Sequence, residues 1–183
     1  AQAGVLIKDA EALERMAKVD TLIVDKTGTL TEGKPKLTDV NALGDETEET
    51  ILSLAAALEK GSEHPLAEAI VEGAKERGIK VGNAENFEAV TGKGVSGTIS
   101  GRAVALGNTA MMRDMSLDTS AAEEAADVLR SEGKTAMFVA IEGKLSGIVA
   151  VADPIKETTA EVIKELHEAG LRIIMATGDN ERT

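Results

Sequence analysis

A single carboxylate near the start of the chain has reactive surroundings. Asp25 follows the apolar, β-branched run Thr21–Val24 and precedes Lys26, Thr27 and Gly28. Such a run is typical of a central parallel strand that is buried on both faces, and ligands bind outside the carboxyl ends of parallel strands. Asp25 can attack phosphorus, Lys26 supplies positive charge, and Gly28 lets the next backbone N–H groups turn into a concave anion site. These residues predict a phosphoryl-transfer site with Asp25 as the acceptor and Lys26 and Thr27 as further catalytic residues.

Phosphoryl transfer to a carboxylate also requires a cation. A carboxylate and a polyphosphate repel each other until a hard cation bridges their oxygens, so we expect Mg²⁺ with ligands from Asp25 and Thr27. A bare Asp-x-x-Gly stretch usually marks only a turn. The longer run around Asp25 decides between these two interpretations.

The run Asp25–Thr31, DKTGTLT, closely resembles the phosphorylation signature of the P-type ATPases, which are cation pumps of the haloacid dehalogenase-like superfamily. The resemblance implies that ATP phosphorylates Asp25. Phosphatases of that superfamily usually carry a second Asp two places after the nucleophile, where this chain has Thr27. Loss of that general base slows water attack on an aspartyl phosphate by roughly 10²–10⁴-fold. Such slow hydrolysis suits a pump and disfavours the alternative, a stand-alone phosphatase.

A second motif lies near the end of the chain. Thr177-Gly178-Asp179-Asn180 follows the apolar stretch Leu171–Ala176 and resembles the TGDN motif of the same family. The resemblance implies that Thr177 and Gly178 grip the transferred phosphoryl group, and it places Asp179 in the same catalytic site. Thr-Gly-Asp alone is more often a turn, so its weight comes from following DKTGTLT in the family's order.

The middle of the chain carries a third resemblance. Ser62–Ala67, SEHPLA, is similar to a segment of the heavy-metal-transporting subfamily. It implies that His64 packs against adenine and that Glu63 accepts a hydrogen bond from the adenine amino group; alone, His64 would be interpreted as an exposed, capping histidine. The same resemblance assigns four residues to the nucleotide pocket: Gly92, Gly94, Gly107 and Asn108. Glycines that serve only the turn remain the alternative for this stretch.

Composition excludes several other functions. The 183 residues contain no cysteine, which removes thiolate catalysis, cysteine zinc sites and disulfides. The net charge of −12, with two Phe and no Trp or Tyr, argues against a nucleic-acid partner, which requires excess Lys and Arg or stacking aromatics. No apolar run approaches the roughly 18 residues that span a bilayer. The neighbouring Met111, Met112 and Met115 favour core filling over a soft-metal site.

Periodicity and turn residues predict the elements that position these motifs. Helices are expected over residues 8–18, 47–60, 120–130 and 157–169, with another beginning at Pro65 and ending at Gly78. Strands are expected at residues 21–24, 37–43, 87–90, 95–99, 103–106 and 171–176, with a hairpin from 136 to 151. The strands before the two phosphate motifs lie at opposite ends of the sequence. We therefore predict an α/β fold, a partial haloacid dehalogenase-like (Rossmannoid) parallel sheet interrupted by an inserted α+β nucleotide-binding domain with an antiparallel sheet.

The expected domains follow from this interruption. Residues 1–32 and 149–183 are predicted to form part of a phosphorylation domain, and residues 33–148 a nucleotide-binding domain. The resemblance implies the cytosolic portion of an integral membrane protein, in the cell membrane of a prokaryote. Its parent would use ATP and Mg²⁺ to export a heavy-metal ion, Cu⁺ or Ag⁺, with a zinc or cadmium pump as the alternative. The expected partners are ATP, the exported ion, and the transmembrane and actuator domains of the parent.

Overall fold

A computed structural model describes residues 9–176, with only the backbone at residues 10, 12, 13 and 65. The chain forms two compact units, residues 9–33 with 155–176 and residues 34–154. The second boundary falls after Pro154 rather than at residue 148, because the last strand of the second unit continues to Ala152. None of the described helices is both long and apolar enough to cross a membrane.

Six helices and eight strands are labelled here in chain order. They are α1 (Ala10–Met16), β1 (Thr21–Asp25), β2 (Lys36–Ala42), α2 (Glu48–Glu59), α3 (Pro65–Glu76), β3 (Glu85–Val90), β4 (Gly94–Ile99), β5 (Arg102–Gly107), α4 (Thr109–Asp114), α5 (Ser120–Ser131), β6 (Thr135–Ile141), β7 (Lys144–Ala152), α6 (Thr159–Glu168) and β8 (Arg172–Ala176). The sequence predicts every one of them except α4, whose six residues are too few to establish a helical period.

The first unit contains the parallel pair β1 and β8, with Asp25 opposite Ala176 at the carboxyl ends. The expectation that β1 is buried on both faces is wrong for the described residues. Ile23 is 69% exposed and Ile174 of β8 is 43% exposed. Among the described residues, the two strands and the helices α1 and α6 of this unit do not supply enough apolar surface to cover both faces of the pair.

The second unit is a six-stranded antiparallel sheet in the order β2-β7-β6-β5-β4-β3. Its central strands β5, β6 and β7 are apolar on both faces because both faces carry helices. On β6, Val139 packs in the cluster with α2 and α3, whereas Phe138 packs in the cluster with α4 and α5. Successive side chains of a strand point to opposite faces, so this alternation builds two cores from one sheet. The predicted α/β class, with an antiparallel block inserted into a parallel sheet, is confirmed.

Side-chain caps define where several helices of this unit begin. Thr47 Oγ1 accepts from the Thr50 N–H at 3.2 Å at the start of α2, and Pro65 occupies the first turn of α3, where its missing N–H costs nothing. In the short helix α4, Met111 and Met112 are buried as predicted. Met115, which follows α4, is 41% exposed and does not fill the core.

Candidate functional site

Asp25 ends β1 with an exposed side chain and leads into a tight turn, Lys26–Leu30. Gly28 takes the left-handed conformation there, with φ of 76°, which a residue with a Cβ adopts at a cost. The Gly28 N–H donates to Thr31 Oγ1 at 3.0 Å, and the Thr31 N–H donates to the Lys26 carbonyl at 3.1 Å. The sequence suggested that backbone N–H groups after Asp25 face an anion. In this structure, the Gly28 N–H instead helps to close the turn.

A second segment of the same unit holds this turn from outside. The Lys156 N–H and the Thr159 hydroxyl both donate to the Leu30 carbonyl, at 3.0 and 2.7 Å. Lys156 Nζ donates to the Gly28 carbonyl at 2.8 Å. Sequence reasoning missed both residues, because they lie far along the chain and belong to no recognised motif.

The Thr177-Gly178-Asp179 motif lies outside the described residues, so its contacts are not part of this structure. What the structure does show is the strand that precedes it. β8 ends at Ala176, directly opposite Asp25 in the parallel register. The sheet therefore joins the strand that carries Asp25 to the strand that leads into the second motif.

The Asp25 carboxylate and the Thr27 hydroxyl are oxygen ligands, the type of ligand that Mg²⁺ prefers. Mg²⁺ is commonly held by one or two carboxylates together with substrate phosphates rather than by a protein cage. Within residues 9–176 there is no group of three or more His, Cys, Asp or Glu side chains that could hold a metal ion. An exposed lone carboxylate is compatible with the first mode and not with a cage.

A cavity of about 470 Å³ opens in the second unit. Its volume lies within the range of small-molecule sites. It brings together five of the six residues predicted to bind nucleotide: His64, Gly92, Gly94, Gly107 and Asn108. Glu63 lies in the neighbouring groove with Glu68 and Glu72, not in the cavity wall. Lys93 also lines the cavity, and its Nζ lies 2.5 Å from Asp114 Oδ2.

The cavity glycines meet two different structural needs. Gly92 lies in the turn between β3 and β4 with φ of 72° and open space where a Cβ would stand. A Cβ on Gly94 would lie 2.2 Å from the Leu106 carbonyl oxygen, and one on Gly107 would lie 2.5 Å from both the Lys93 carbonyl oxygen and Met111 Sδ. Gly94 and Gly107 therefore let β4, β5 and α4 approach closely, and this packing requirement is independent of any contact with a ligand.

Asn108 links the β3–β4 turn to the start of α4. Its Oδ1 accepts from the Met111 N–H at 3.1 Å as the helix cap, and its Nδ2 donates to the Gly92 carbonyl at 2.8 Å. Its backbone N–H donates to the Lys93 carbonyl at 2.9 Å. Both polar atoms of the Asn108 side-chain amide thus hold one rim of the cavity in place.

His64 lies on another part of the cavity wall, at the start of α3. Its Nδ1 accepts from the Leu66 N–H at 3.2 Å, and its side chain is exposed. Since Nδ1 is the acceptor, a neutral ring carries its proton on Nε2. The capping role and an exposed ring face next to the cavity coexist in this geometry.

Comparison with known proteins agrees with these features. A sequence profile of the haloacid dehalogenase-like hydrolases matches residues 19–183. The chain belongs to the haloacid dehalogenase-like hydrolase family. It is 65% identical over 98% of its length to a "Copper-transporting P-type ATPase" of Rhizobium leguminosarum bv. viciae, and 50% identical over its whole length to a "Silver exporting P-type ATPase" of Salmonella typhimurium.

The solved structures place this haloacid dehalogenase-like chain with the heavy-metal P-type ATPases. It superposes on a zinc-transporting PIB-type ATPase in the E2.Pi state with a TM-score of 0.85 and 34% identity, over 99% of this chain and 29% of that one. The chain spans about a fifth of the length of the curated relatives, 21% and 22%. It corresponds to the catalytic portion of such a protein.

In this haloacid dehalogenase-like chain, the structure adds a cavity residue that the sequence analysis missed. Glu59, the last residue of α2, is 6% exposed and lines the cavity, and among the described residues its Oε2 has no hydrogen-bond partner. Burial raises the pKa of this carboxyl, against opposing contributions from the Ser62 hydroxyl and from His64. A helix-terminal Glu normally lies in solvent, so nothing in the sequence distinguishes it from a surface acid.

Proposed function

We propose that this chain is the ATP-binding and phosphorylation portion of a P-type ATPase that exports Cu⁺ or Ag⁺ through an aspartyl-phosphate intermediate at Asp25. The observation that carries the proposal is the exposed Asp25 carboxylate at the tip of a parallel strand, within DKTGTLT. A separate unit supplies a cavity of nucleotide size that contains His64 of the SEHPLA segment.

In this proposal the cavity recognises the base of ATP. Oε2 of the buried Glu59 is an acceptor without a hydrogen-bond partner among the described residues, so it matches the amino group of adenine, a role that the sequence suggested for Glu63. The exposed ring of His64 packs against the base. Gly92, Gly94, Gly107 and Asn108 shape the wall, and Lys93 is the one lysine among the described residues that line it.

The reaction then occurs at the Lys26–Leu30 turn. An oxygen of Asp25 bonds to the γ-phosphorus of ATP while the bond to the β–γ bridging oxygen breaks, and ADP leaves with that electron pair. Lys26 and Thr27 act on the transferred group, and the resemblance of Thr177-Gly178-Asp179 to the family motif gives those three residues a role in the same step. Mg²⁺, bound by Asp25, Thr27 and the phosphates, would neutralise charge as the oxygens of attacking carboxylate and phosphate approach.

The pattern of similarity supports the proposed choice of exported ion. Identity to the Rhizobium leguminosarum copper transporter and the Salmonella typhimurium silver exporter, 65% and 50%, exceeds the 34% to the zinc transporter, which favours a monovalent soft cation. The close structural match to the zinc pump keeps a zinc or cadmium exporter as the second candidate. In either case the chain would work in the cytosol, joined to transmembrane and actuator domains in a prokaryotic cell membrane. ATPase activity of the parent stimulated by Cu⁺ and not by Zn²⁺ would separate the two.

The test of the acceptor uses Asp25→Asn in the parent pump. We expect loss of the acid-stable phosphoenzyme formed from ATP and loss of transport, because an amide cannot take the phosphoryl group. ATP binding by the 183-residue chain, followed through amide shifts at Gly92 and Asn108, should be unchanged. Asp20→Asn is the matched control, since Asp20 is also exposed and directly precedes β1. An acid-stable phosphoenzyme in the Asp25 variant would contradict the proposal.

A further inference from the structure

The Lys26–Leu30 turn is held by a segment that no motif analysis assigns to the site. Thr31 and Ile155 form an isolated antiparallel bridge, and the Lys156 N–H donates to the Leu30 carbonyl next to it. Thr159, which is 9% exposed, adds its hydroxyl to the same carbonyl. The backbone of Leu30 and Thr31, at the end of the turn, is therefore held in place without any contact from the Lys156 side chain.

The Lys156 side chain makes a different contact. Its ammonium donates to the Gly28 carbonyl at 2.8 Å, in the middle of the turn and next to the left-handed residue. Gly33 packs close to this point, because a Cβ on Gly33 would lie 3.1 Å from Gly28 Cα. A hydrogen bond from a charged donor is stronger than one between neutral groups. Lys156 and Thr159 both reach the turn through their side chains. Of the two, only the Lys156 side chain binds the Gly28 carbonyl, so it is the one that orients the Gly28–Thr29 peptide group.

The orientation of that peptide has a chemical consequence. In a trans peptide the carbonyl of one residue and the N–H of the next point in opposite directions. A fixed Gly28 carbonyl therefore fixes the direction of the Thr29 N–H, while the Gly28 N–H is already committed to Thr31 Oγ1. Donors held in place before the reaction stabilise developing charge without reorganisation.

We propose that Lys156 is a positioning residue for phosphoryl transfer: by binding the Gly28 carbonyl, it sets the Lys26–Leu30 turn in the conformation that presents the Thr29 N–H to the group transferred to Asp25. This inference rests on the proposed function of Asp25. Lys156 does not touch substrate in this account and acts through the turn alone.

The experiment compares Lys156→Met, Lys156→Arg, Thr159→Val and Lys164→Met in the parent pump. Thr159→Val also removes one side-chain hydrogen bond to the turn, but at the Leu30 carbonyl, which the Lys156 backbone still holds. Lys164→Met removes an equal charge from an exposed position on α6, 3.9 Å from Glu168. The readouts are the rate of acid-stable phosphoenzyme formation at saturating ATP and the ATP concentration for half-saturation.

We expect Lys156→Met to slow phosphoenzyme formation by about 10- to 100-fold, as expected when a donor is misplaced by about an ångström, with half-saturation by ATP unchanged. Lys156→Arg should restore most of the rate, because its guanidinium also donates to a carbonyl. Thr159→Val and Lys164→Met should phosphorylate at close to the wild-type rate. A wild-type rate in Lys156→Met, or a failure of arginine to restore it, would overturn the inference.

A second measurement tests the same inference if Lys156→Met folds poorly in the parent pump. In the 183-residue chain, the Thr29 amide resonance should shift in Lys156→Met and not in Lys164→Met, while the amides of Val139 and Val149 in the second unit stay in place. A Thr29 amide unchanged by Lys156→Met would also overturn the inference. The two hypotheses fail separately. The proposed function fails if the wild-type pump forms no phosphoenzyme, or forms one that persists in Asp25→Asn. Normal phosphorylation of Lys156→Met contradicts only the positioning role of Lys156.

Discussion

At the scale of single residues, Glu59 shows a conflict between stability and binding. A carboxylate that is 6% exposed with an unpaired oxygen destabilises the folded chain, because burial removes its water without full replacement. The same unpaired oxygen is what gives the cavity an acceptor for an amino group. Residues that bind ligands commonly lower stability in this way, so a substitution that removes the carboxylate should change the two properties in opposite directions.

We therefore predict that Glu59→Met raises the free energy of unfolding at pH 7 by about 1–3 kcal/mol, the usual cost of an unpaired buried polar group. The same change should weaken ATP binding by about tenfold, the loss of roughly one hydrogen bond. Urea unfolding and calorimetric titration measure the two effects. Glu63→Gln, in the exposed groove, is the control and should alter neither; an unchanged ATP affinity in Glu59→Met would contradict the role in base recognition.

The pH dependence of this effect has a definite sign. Burial raises the pKa of Glu59 in the folded chain above its unfolded value. Its contribution to stability is then fully present below the unfolded pKa, about 4.3, and is lost as the pH rises through the folded pKa. The stability advantage of Glu59→Met should accordingly be largest at neutral pH and shrink toward pH 4.

At the scale of elements, the cavity depends on an unusually close approach of β4, β5 and α4. Gly94 pairs directly with Gly107 across the sheet, and Met111 of α4 packs over both. The contacts that a Cβ on Gly107 would meet include a backbone oxygen, which cannot rotate away. Glycine at this place is therefore a packing requirement of the sheet.

Gly107→Ala should lower the free energy of unfolding by about 1–3 kcal/mol, in the range of overpacked cores. Gly44→Ala is the matched control, because a Cβ there meets nothing within 4 Å and Gly44 does not have a left-handed φ. Urea denaturation of both variants, followed by circular dichroism, measures the difference. Equal midpoints for the two variants would show that β4, β5 and α4 separate easily, contrary to this packing argument.

At the scale of the whole molecule, the two units differ greatly in how much core each possesses. Within residues 9–176, both hydrophobic clusters lie in the 34–154 unit, and so do the largest fully buried side chains, such as Phe138, Leu52 and Ile70. The two ends of this unit also meet. The Lys34 N–H donates to Asp153 Oδ1 at 3.1 Å, and Lys36 pairs with Ala152.

A fragment of residues 34–154 should therefore fold cooperatively by itself and bind ATP with the affinity of the 183-residue chain. Excision cuts the chain at two adjacent points outside the strands, and every residue of both core clusters stays in the fragment. The measurements are a urea unfolding curve and a calorimetric ATP titration on each protein. A fragment that lacks a cooperative transition, while the full chain has one, would show that the first unit stabilises the second.

The sequence by itself predicted Asp25 as the phosphoryl acceptor and determined most of the elements. An Asp at the end of a β-branched run, followed by Lys-Thr-Gly-Thr, is a local pattern, and so are the Thr47 cap of α2 and Pro65 in the first turn of α3. Local patterns suffice because strand and helix periods and turn conformations depend on residues only a few places apart. The same reasoning failed for α4, which is too short to show a period, and for the exposure of Ile23, which depends on how many strands cover it.

Only the tertiary structure decided which distant residues serve these local patterns. Lys156 and Gly28 are separated by 128 positions, and Gly92 and Asn108 by 16. Whether Glu59 is a surface acid or a buried acceptor depends on what packs around the end of α2. Such contacts follow from chain topology and from the volume left between packed elements, and these are properties of the whole fold that no short stretch of sequence contains.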